Sequence, residues 1–367
     1  MPVIELKNLT MRFGSIAAAD NINLNVKSGE YVTILGPSGC GKTTIVRMIA
    51  GILEPTSGEV YIDGKLMNNV PIYERNIGYV FQNIALFPHL NVWNNATYSG
   101  RVKGRDRERA TKIGNEALRL VKLLNQKALY PRELSGGSQQ KTSLARALCS
   151  DTKLLLLDEP LSALDVVERM GLRRELRRLV KTLNLTAIHV THDQEEAMSI
   201  SDRVVVMKAG KIVEINTPQN LYNNPKKIFT ANFVGESNFI EGIVSMVDGP
   251  NIVVEMNDGD ILRLKSHGFT YGDAIVVSVR PENIVLEKGE DNRENTVVAV
   301  IHDIIFISSY IRYVLKTKGG DYLNVDVPIT SNKRFNKDES VIVIFDPEKT
   351  CVYKKPEEGL PEVLKLE

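Results

Sequence analysis

Cysteine is scarce: Cys40, Cys149 and Cys351 stand far apart and form no CxxC pair. That excludes a disulfide framework and a cysteine-ligated zinc site, and each of the three reads as a small packing residue. Histidine is as sparse, five residues without a tight cluster, so no histidine-rich metal centre is expected. A surplus of one charge sign is also missing. Lys and Arg number 46 against 45 Asp and Glu, a net charge of +1, whereas a general nucleic-acid binder is clearly basic. No apolar run approaches the roughly 18 residues that cross a bilayer. The opening "MPVIELKNLTMRF" has no signal-peptide pattern. The expectation is a soluble, cytosolic chain. What is present is ordinary for globular proteins: 367 residues, 43% hydrophobic and 25% charged, with room for two or three domains that each hold a core.

Two textures follow one another along the chain. Residues 1–235 alternate short apolar runs with helical patterns. "YVTILG" leads into a glycine loop, "KTTIVRMIAG" reads as a helix ending at Gly51, and "IGYVFQ", "KLLLLDE" and "TAIHVTH" are further short strands. Leu and Val runs of this kind suit burial on both faces of a sheet, and the alternation implies a parallel, helix-covered sheet. Residues 236–367 are instead β-rich segments parted by Gly, Asp and Asn, which predicts a small β-barrel or sandwich. The boundary is expected near "NFVGESNF".

The chemistry concentrates in a few places. "GPSGCGKTT" fits GxxxxGK[ST] between a strand and a helix, the context that gives this motif its meaning. Its residues Gly36, Pro37, Ser38, Gly39, Cys40, Gly41, Lys42, Thr43 and Thr44 form a loop whose backbone N–H groups can cradle phosphates. Lys42 can reach the β- and γ-phosphates, and the Thr43 hydroxyl can hold Mg²⁺. Cys40 within it reads as a small filler. Asp158 ends the apolar run of "LLLLDEP", placed to help hold Mg²⁺, and Glu159 beside it could take a proton from an attacking water. Alone, that acidic pair could equally be a solvated terminus or a helix cap. His192 follows a strand and could orient the water at the γ-phosphate, or make only a backbone hydrogen bond; His189 inside the strand reads as core. Gln82 at a strand end could ligate Mg²⁺ through its amide. After it, Leu86, Phe87, Pro88, His89 and Leu90 form an apolar loop, either core packing or a docking surface. Phe13, ending the first strand, could stack on adenine or pack inside. A second phosphate-gripping element stands in "LSGGSQQK", where Ser135, Gly136 and Gly137 would expose N–H groups at a helix N-terminus. The runs "RVKGRDRER" and "RRELRRLVK" interleave acids on helical patterns and read as solvated helix faces with no site.

The order Phe13, GPSGCGKTT, Gln82, LSGGSQQK, LLLLDEP, SALD, His192 resembles the nucleotide-binding subunit of ATP-binding-cassette (ABC) transporters across the first 235 residues. "PSGCGKTT", "FQNIALFPHL" and "THDQEEAM" are similar to importer subunits, and "SVRPENIVL" resembles the transport-associated OB-type domain appended to them. The resemblance implies an α/β P-loop NTPase cassette, with a parallel-sheet core and a helical subdomain, followed by a small all-β OB-like domain. It implies ATP and Mg²⁺ as ligands, with Lys42, Gln82, Glu159 and His192 catalytic and Thr43, Gln82 and Asp158 on the metal. It also implies a head-to-tail pair, formed with a second copy or a close paralogue. Each ATP then lies between one phosphate loop and the partner's LSGG segment, with Asp165 of "SALD" crossing the interface. Further implied partners are integral-membrane permeases docking near residues 82–100 and, indirectly, an extracytoplasmic substrate-binding protein, at the cytoplasmic face of the cell membrane. Nucleic acid is not among them. The junction "FVGESNFIEG" is more similar to polyamine and ferric-ion importers, with a sugar importer of the same subfamily as the alternative. Ser138 and Lys141 depart from the Gln and Arg usual in the family, and Lys lacks the planar fork of Arg. The other classes to weigh are a soluble ABC-type ATPase outside transport and a tail that senses a metabolite.

Overall fold

The computed structural model describes residues 3–104, 106–150, 152–257, 259–289 and 294–365. Arg105, within the first basic run, lies outside them. The chain divides into two compact units, one up to Gln219 and one from Asn220.

The first unit holds two sheets. Strands β1 (Ile4–Phe13), β2 (Ile16–Val26), β4 (Ser57–Ile62) and β5 (Lys65–Leu66) form an antiparallel sheet in the order β2-β1-β4-β5. The other sheet runs β10-β9-β3-β8-β7-β6, built from β3 (Tyr31–Leu35), β6 (Ile77–Val80), β7 (Leu154–Asp158), β8 (Thr186–Thr191), β9 (Arg203–Lys208) and β10 (Lys211–Asn216). All its pairings are parallel except the β9–β10 hairpin. Helices α1 (Lys42–Ala50), α2 (Val92–Val102), α3 (Arg107–Leu120), α4 (Gly136–Leu148), α5 (Val166–Thr182) and α6 (Gln194–Ile200) connect the strands.

The apolar runs explain the layering. Every residue of β3, β7 and β8 is buried. Along β7, Leu154 and Leu156 join a core shared with β1, β2 and α1, while Leu155 and Leu157 join another with α2, α4 and α5. A strand covered on both faces needs apolar side chains in both directions, hence an unbroken leucine run. Each leucine so buried contributes about 1.5–3 kcal/mol. Helices α2, α3 and α4 pack on one another, which makes the helical part of the unit. The arrangement delivers four loops to one edge: those following the C-terminal ends of β3, β6, β7 and β8. In open parallel sheets this is the edge where ligands bind.

The second unit is β-rich. One antiparallel sheet comprises Ile261–Lys265, Asn251–Met256, Asn238–Asp248, Ala274–Val279 and Thr350–Lys354, in that order. The other comprises Ile284–Lys288, Ser340–Phe345, Thr296–Ile307, Tyr310–Thr317 and Tyr322–Pro328. Both sheets feed one core, with Ile240, Val254 and Leu262 from the first and Val297, Leu315 and Val343 from the second. The unit starts earlier than the texture change near residue 236 suggests, and buried Arg280 supplies the reason. Its guanidinium donates to the carbonyls of Tyr222 (3.0 Å), Ala231 (2.8 Å) and Glu236 (2.9 Å), binding that helical lead-in to the sheets. Among the described residues, no helix is long and apolar enough to cross a membrane.

Candidate functional site

The loop between β3 and α1 is shaped by glycine. Gly41 sits at φ +99°, and a Cβ there would lie 1.9 Å from the Ala18 carbonyl oxygen, so no other residue fits its own chain. It opens α1 with no side chain capping the helix among the described residues, leaving the first-turn N–H groups available to an anion. Lys42 is buried, and its Nζ donates to the carbonyls of Gly36 (2.8 Å) and Pro37 (2.7 Å), so the ammonium is held inside the loop. Cys40 packs in the core beneath, as a filler does.

Two pairs of side chains meet on this edge. Thr43 Oγ1 donates to Asp158 Oδ1 at 2.8 Å, and Tyr79 Oη donates to Asp158 Oδ2 at 3.3 Å. Burial pushes the Asp158 carboxyl above its ordinary range, while Thr43, Arg47 and Tyr79 pull it back. Next to it, Glu159 Oε1 lies 3.3 Å from His192 Nδ1. The imidazole is 58% exposed, so its other nitrogen can reach a ligand. Glu159 holds φ +47°, a left-handed conformation that costs a non-glycine residue on the order of 1 kcal/mol. Three hydrogen bonds impose it. The Glu159 N–H donates to the Val190 carbonyl (3.0 Å), and its carbonyl accepts from Gln140 Nε2 (3.0 Å) and Ser162 Oγ (3.0 Å). That backbone turn aims the carboxylate at His192 rather than along the strand.

The structure thus joins Thr43, Asp158, Glu159 and His192. Phe13, Gln82, Ser135, Gly136 and Asp165 are exposed, and among the described residues no hydrogen bond of theirs reaches that group. Phe13 is half exposed at the end of β1, which removes the packed alternative. Gln82 stands two residues beyond β6, the neighbour of β7 in the sheet. Ser135 caps α4 by accepting from the Ser138 N–H (3.3 Å), and Asp165 caps α5 by accepting from the Glu168 N–H (2.8 Å). A Cβ on Gly137 would come within 3.0 Å of Leu164 Cδ2, so the LSGG segment packs against the turn before Asp165. The apolar loop is anchored, not free. Asn95 accepts from the Phe87 N–H (2.9 Å) and donates to the Leu90 carbonyl (2.8 Å), and the Phe87 ring lies 4.5 Å from Tyr98.

Two features escape the sequence reading. Gln140, buried in α4, donates to the Glu159 carbonyl and accepts from the Ala163 N–H (2.8 Å), tying the LSGG helix to the Glu159 turn. The only signal was a polar residue on the helix's apolar face. The basic run on α5 is also not uniformly solvated: Arg173 is 7% exposed, because acids on the neighbouring α6 segment draw it inward.

Comparison with known proteins fits this geometry. The family model described as ABC transporter matches residues 19–162, and one described as TOBE domain matches residues 277–352. The spermidine/putrescine import ATP-binding protein PotA of Rubrobacter xylanophilus is 42% identical over 325 residues, covering 87% of this chain and 85% of that protein. The chain belongs to the ABC transporter family. It is an ABC ATPase of the import type, a cassette followed by a TOBE domain. The PotA protein of Acetivibrio thermocellus is 39% identical over 355 residues, 97% of each chain. Among solved structures, the dimeric post-hydrolysis state of the ATP-binding cassette MJ0796, bound to ADP and Pi, matches with a TM-score of 0.55 and 34% identity. That match covers 59% of this chain and 98% of the other.

Proposed function

We propose that this ABC ATPase powers a polyamine importer, working as a head-to-tail pair of cassettes beneath membrane permeases at the cytoplasmic face of the cell membrane. The observation that carries the site is the meeting of Thr43–Asp158 (2.8 Å) and Glu159–His192 (3.3 Å) on the edge where the phosphate loop lies. The phosphate loop cradles the triphosphate, with Lys42 countering charge on the β- and γ-phosphates. Phe13, exposed at the end of β1, offers its ring to adenine.

Thr43 Oγ1 and Asp158 Oδ1 are hard oxygen donors, the set that Mg²⁺ takes, and Gln82 would add an amide oxygen. A Mg²⁺ held by these oxygens would supply positive charge to offset that of the phosphates. Glu159 takes the proton of the attacking water. His192 holds Glu159 through Nδ1, which leaves Nε2 to face the γ-phosphate and orient the water. Ser135, Gly136 and Gly137 serve the nucleotide of the partner copy, whose binding adds a charged ligand to an otherwise exposed helix N-terminus. Loss of the γ-phosphate then removes the bridge and the pair opens, a ligand-biased two-state element. Permeases dock near residues 82–100, where Asn95 and Phe87 hold the apolar loop in place.

The cargo follows from the relatives, which are named for spermidine and putrescine import. The test is to tag Glu159→Gln, express it in its own host and isolate it with Mg-ATP from detergent-solubilised membranes. Mass spectrometry should find multi-spanning permeases, and their companion binding protein should titrate with spermidine or putrescine. Recovery of soluble proteins or nucleic acid alone would overturn the transport reading. A companion that binds sugars or ferric ion instead would overturn the cargo.

A further inference from the structure

Asp193 follows His192 directly and is bound from three sides. Its Oδ1 accepts from the Glu196 N–H (2.9 Å), capping α6, and its own N–H donates to Thr191 Oγ1 (3.0 Å). Its Oδ2 accepts from two guanidinium groups of α5, Arg173 Nη2 at 2.7 Å and Arg169 Nη1 at 3.0 Å. Arg169 Nη2 donates in turn to the carbonyl of Leu164 (3.2 Å), the residue before Asp165. A single guanidinium therefore spans the turn that carries His192 and the turn that ends in Asp165. The first turn of α5 is fixed to Asp165 as well, through the Glu168 N–H.

The link is sheltered. The side chains of Arg169, Asp193 and Arg173 are 27%, 18% and 9% exposed. Away from water a charge-assisted pair is stronger than on the surface, and the planar fork of Arg fixes direction as well as distance. Burial alone would raise the Asp193 carboxyl. The Glu196 N–H with Arg173 and Arg169 outweighs it and holds the group below the ordinary carboxylate range. Nothing in the chemistry at Glu159 requires two arginines here, as neither touches the phosphate loop among the described residues. What they do instead is join two loops.

We infer that Arg169 is a positioning residue that locks the His192 turn to the Leu164–Asp165 turn, so that a displacement of either is passed to the other within one chain. The inference rests on the roles proposed above, His192 at the chain's own γ-phosphate and Asp165 at the partner copy. Closure by the partner then reaches the water-activating pair through the guanidinium that touches both turns. In this way, hydrolysis in one site waits on the arrival of the other cassette.

The test uses the full-length chain and steady-state phosphate release over a series of Mg-ATP concentrations. Arg169→Ala should lower kcat about tenfold while KM for ATP stays within about threefold, a loss of the size that coupling mutations show. The same change made on an Asp165→Ala background should cost almost nothing further, since the contact with the partner copy that the lock would pass on is already lost. Arg169→Lys keeps a charge for Asp193 but cannot span to Leu164, so it should recover the thermal midpoint and not kcat. If Arg169→Ala fails to fold, Arg169→Lys on the two backgrounds carries the same expectation. Wild-type kcat in these variants, or an equal loss on both backgrounds, would overturn the lock. Full turnover in His192→Ala and Asp165→Ala themselves would instead overturn the proposed roles, so the two failures are distinguishable.

Discussion

Burial holds the Asp158 carboxyl above its ordinary range, so the fold favours its protonated form. For a raised carboxyl, that contribution is fully present below the usual carboxylate range and lost as pH rises through the raised value. At neutral pH the ionised group is therefore a cost to the fold, which the proposed Mg²⁺ role would account for. Asp158→Asn should raise the thermal midpoint at pH 7 in EDTA by about 2–4 °C, the shift that 1 kcal/mol makes in a unit of this size. The gain should shrink as pH falls through the raised value and the wild-type carboxyl takes its proton, and ATP turnover should vanish at every pH. Scanning calorimetry of both proteins across pH checks this. A lower midpoint in the Asn variant would show that Thr43 and Tyr79 outweigh burial. Glu159 is the companion case, with backbone strain at φ +47° held by bonds from Gln140 and Ser162.

Among the elements, α4 separates what the chain needs for itself from what it offers outward. Gly41 has no substitute, because its φ is positive and the Ala18 carbonyl fills the space where a Cβ would go. Gly136 differs: φ is not left-handed, and a Cβ would meet nothing within 4 Å. Its own chain gives no reason for glycine at the first position of a helix, where alanine is favoured by up to about 1 kcal/mol. Gly136→Ala should therefore leave the thermal midpoint unchanged or higher. Turnover should fall about tenfold or more, because a methyl group there obstructs a ligand brought by another copy. Unchanged turnover would mean that nothing comes close to this helix N-terminus. Helix α1 and strand β7 were legible in the sequence, since a leucine run covered on both faces and a helix closed by Gly51 are local signals. The contacts of Arg169 and Arg173 were not. A basic run on a helical pattern looks the same whether its charges meet water or the acids of a distant segment.

At the scale of the whole molecule, two units with different textures follow one another, and the change from alternating helix and strand to β-rich chain was readable. The point of division was not. It depends on Arg280 reaching back some fifty residues to bind carbonyls of the helical segment before the sheets, a pairing no local pattern announces. The meeting of the GPSGCGKTT loop, Asp158, Glu159 and His192 was legible because each follows or ends a strand of one parallel sheet, and such a sheet brings its strand ends to one edge. The LSGG segment was legible as a helix N-terminus able to take an anion, Asp165 only as a family feature, and Ser135, Gly136 and Asp165 are exposed. An exposed helix N-terminus and an exposed acid make sense together when a second cassette completes the site. The most direct measurement is sedimentation of full-length Glu159→Gln with and without Mg-ATP, alongside phosphate release by the same protein. The account predicts turnover reduced at least about a hundredfold and a monomer that becomes a dimer with Mg-ATP and stays monomeric with Mg-ADP. Wild-type turnover, or a monomer at saturating Mg-ATP, would contradict it.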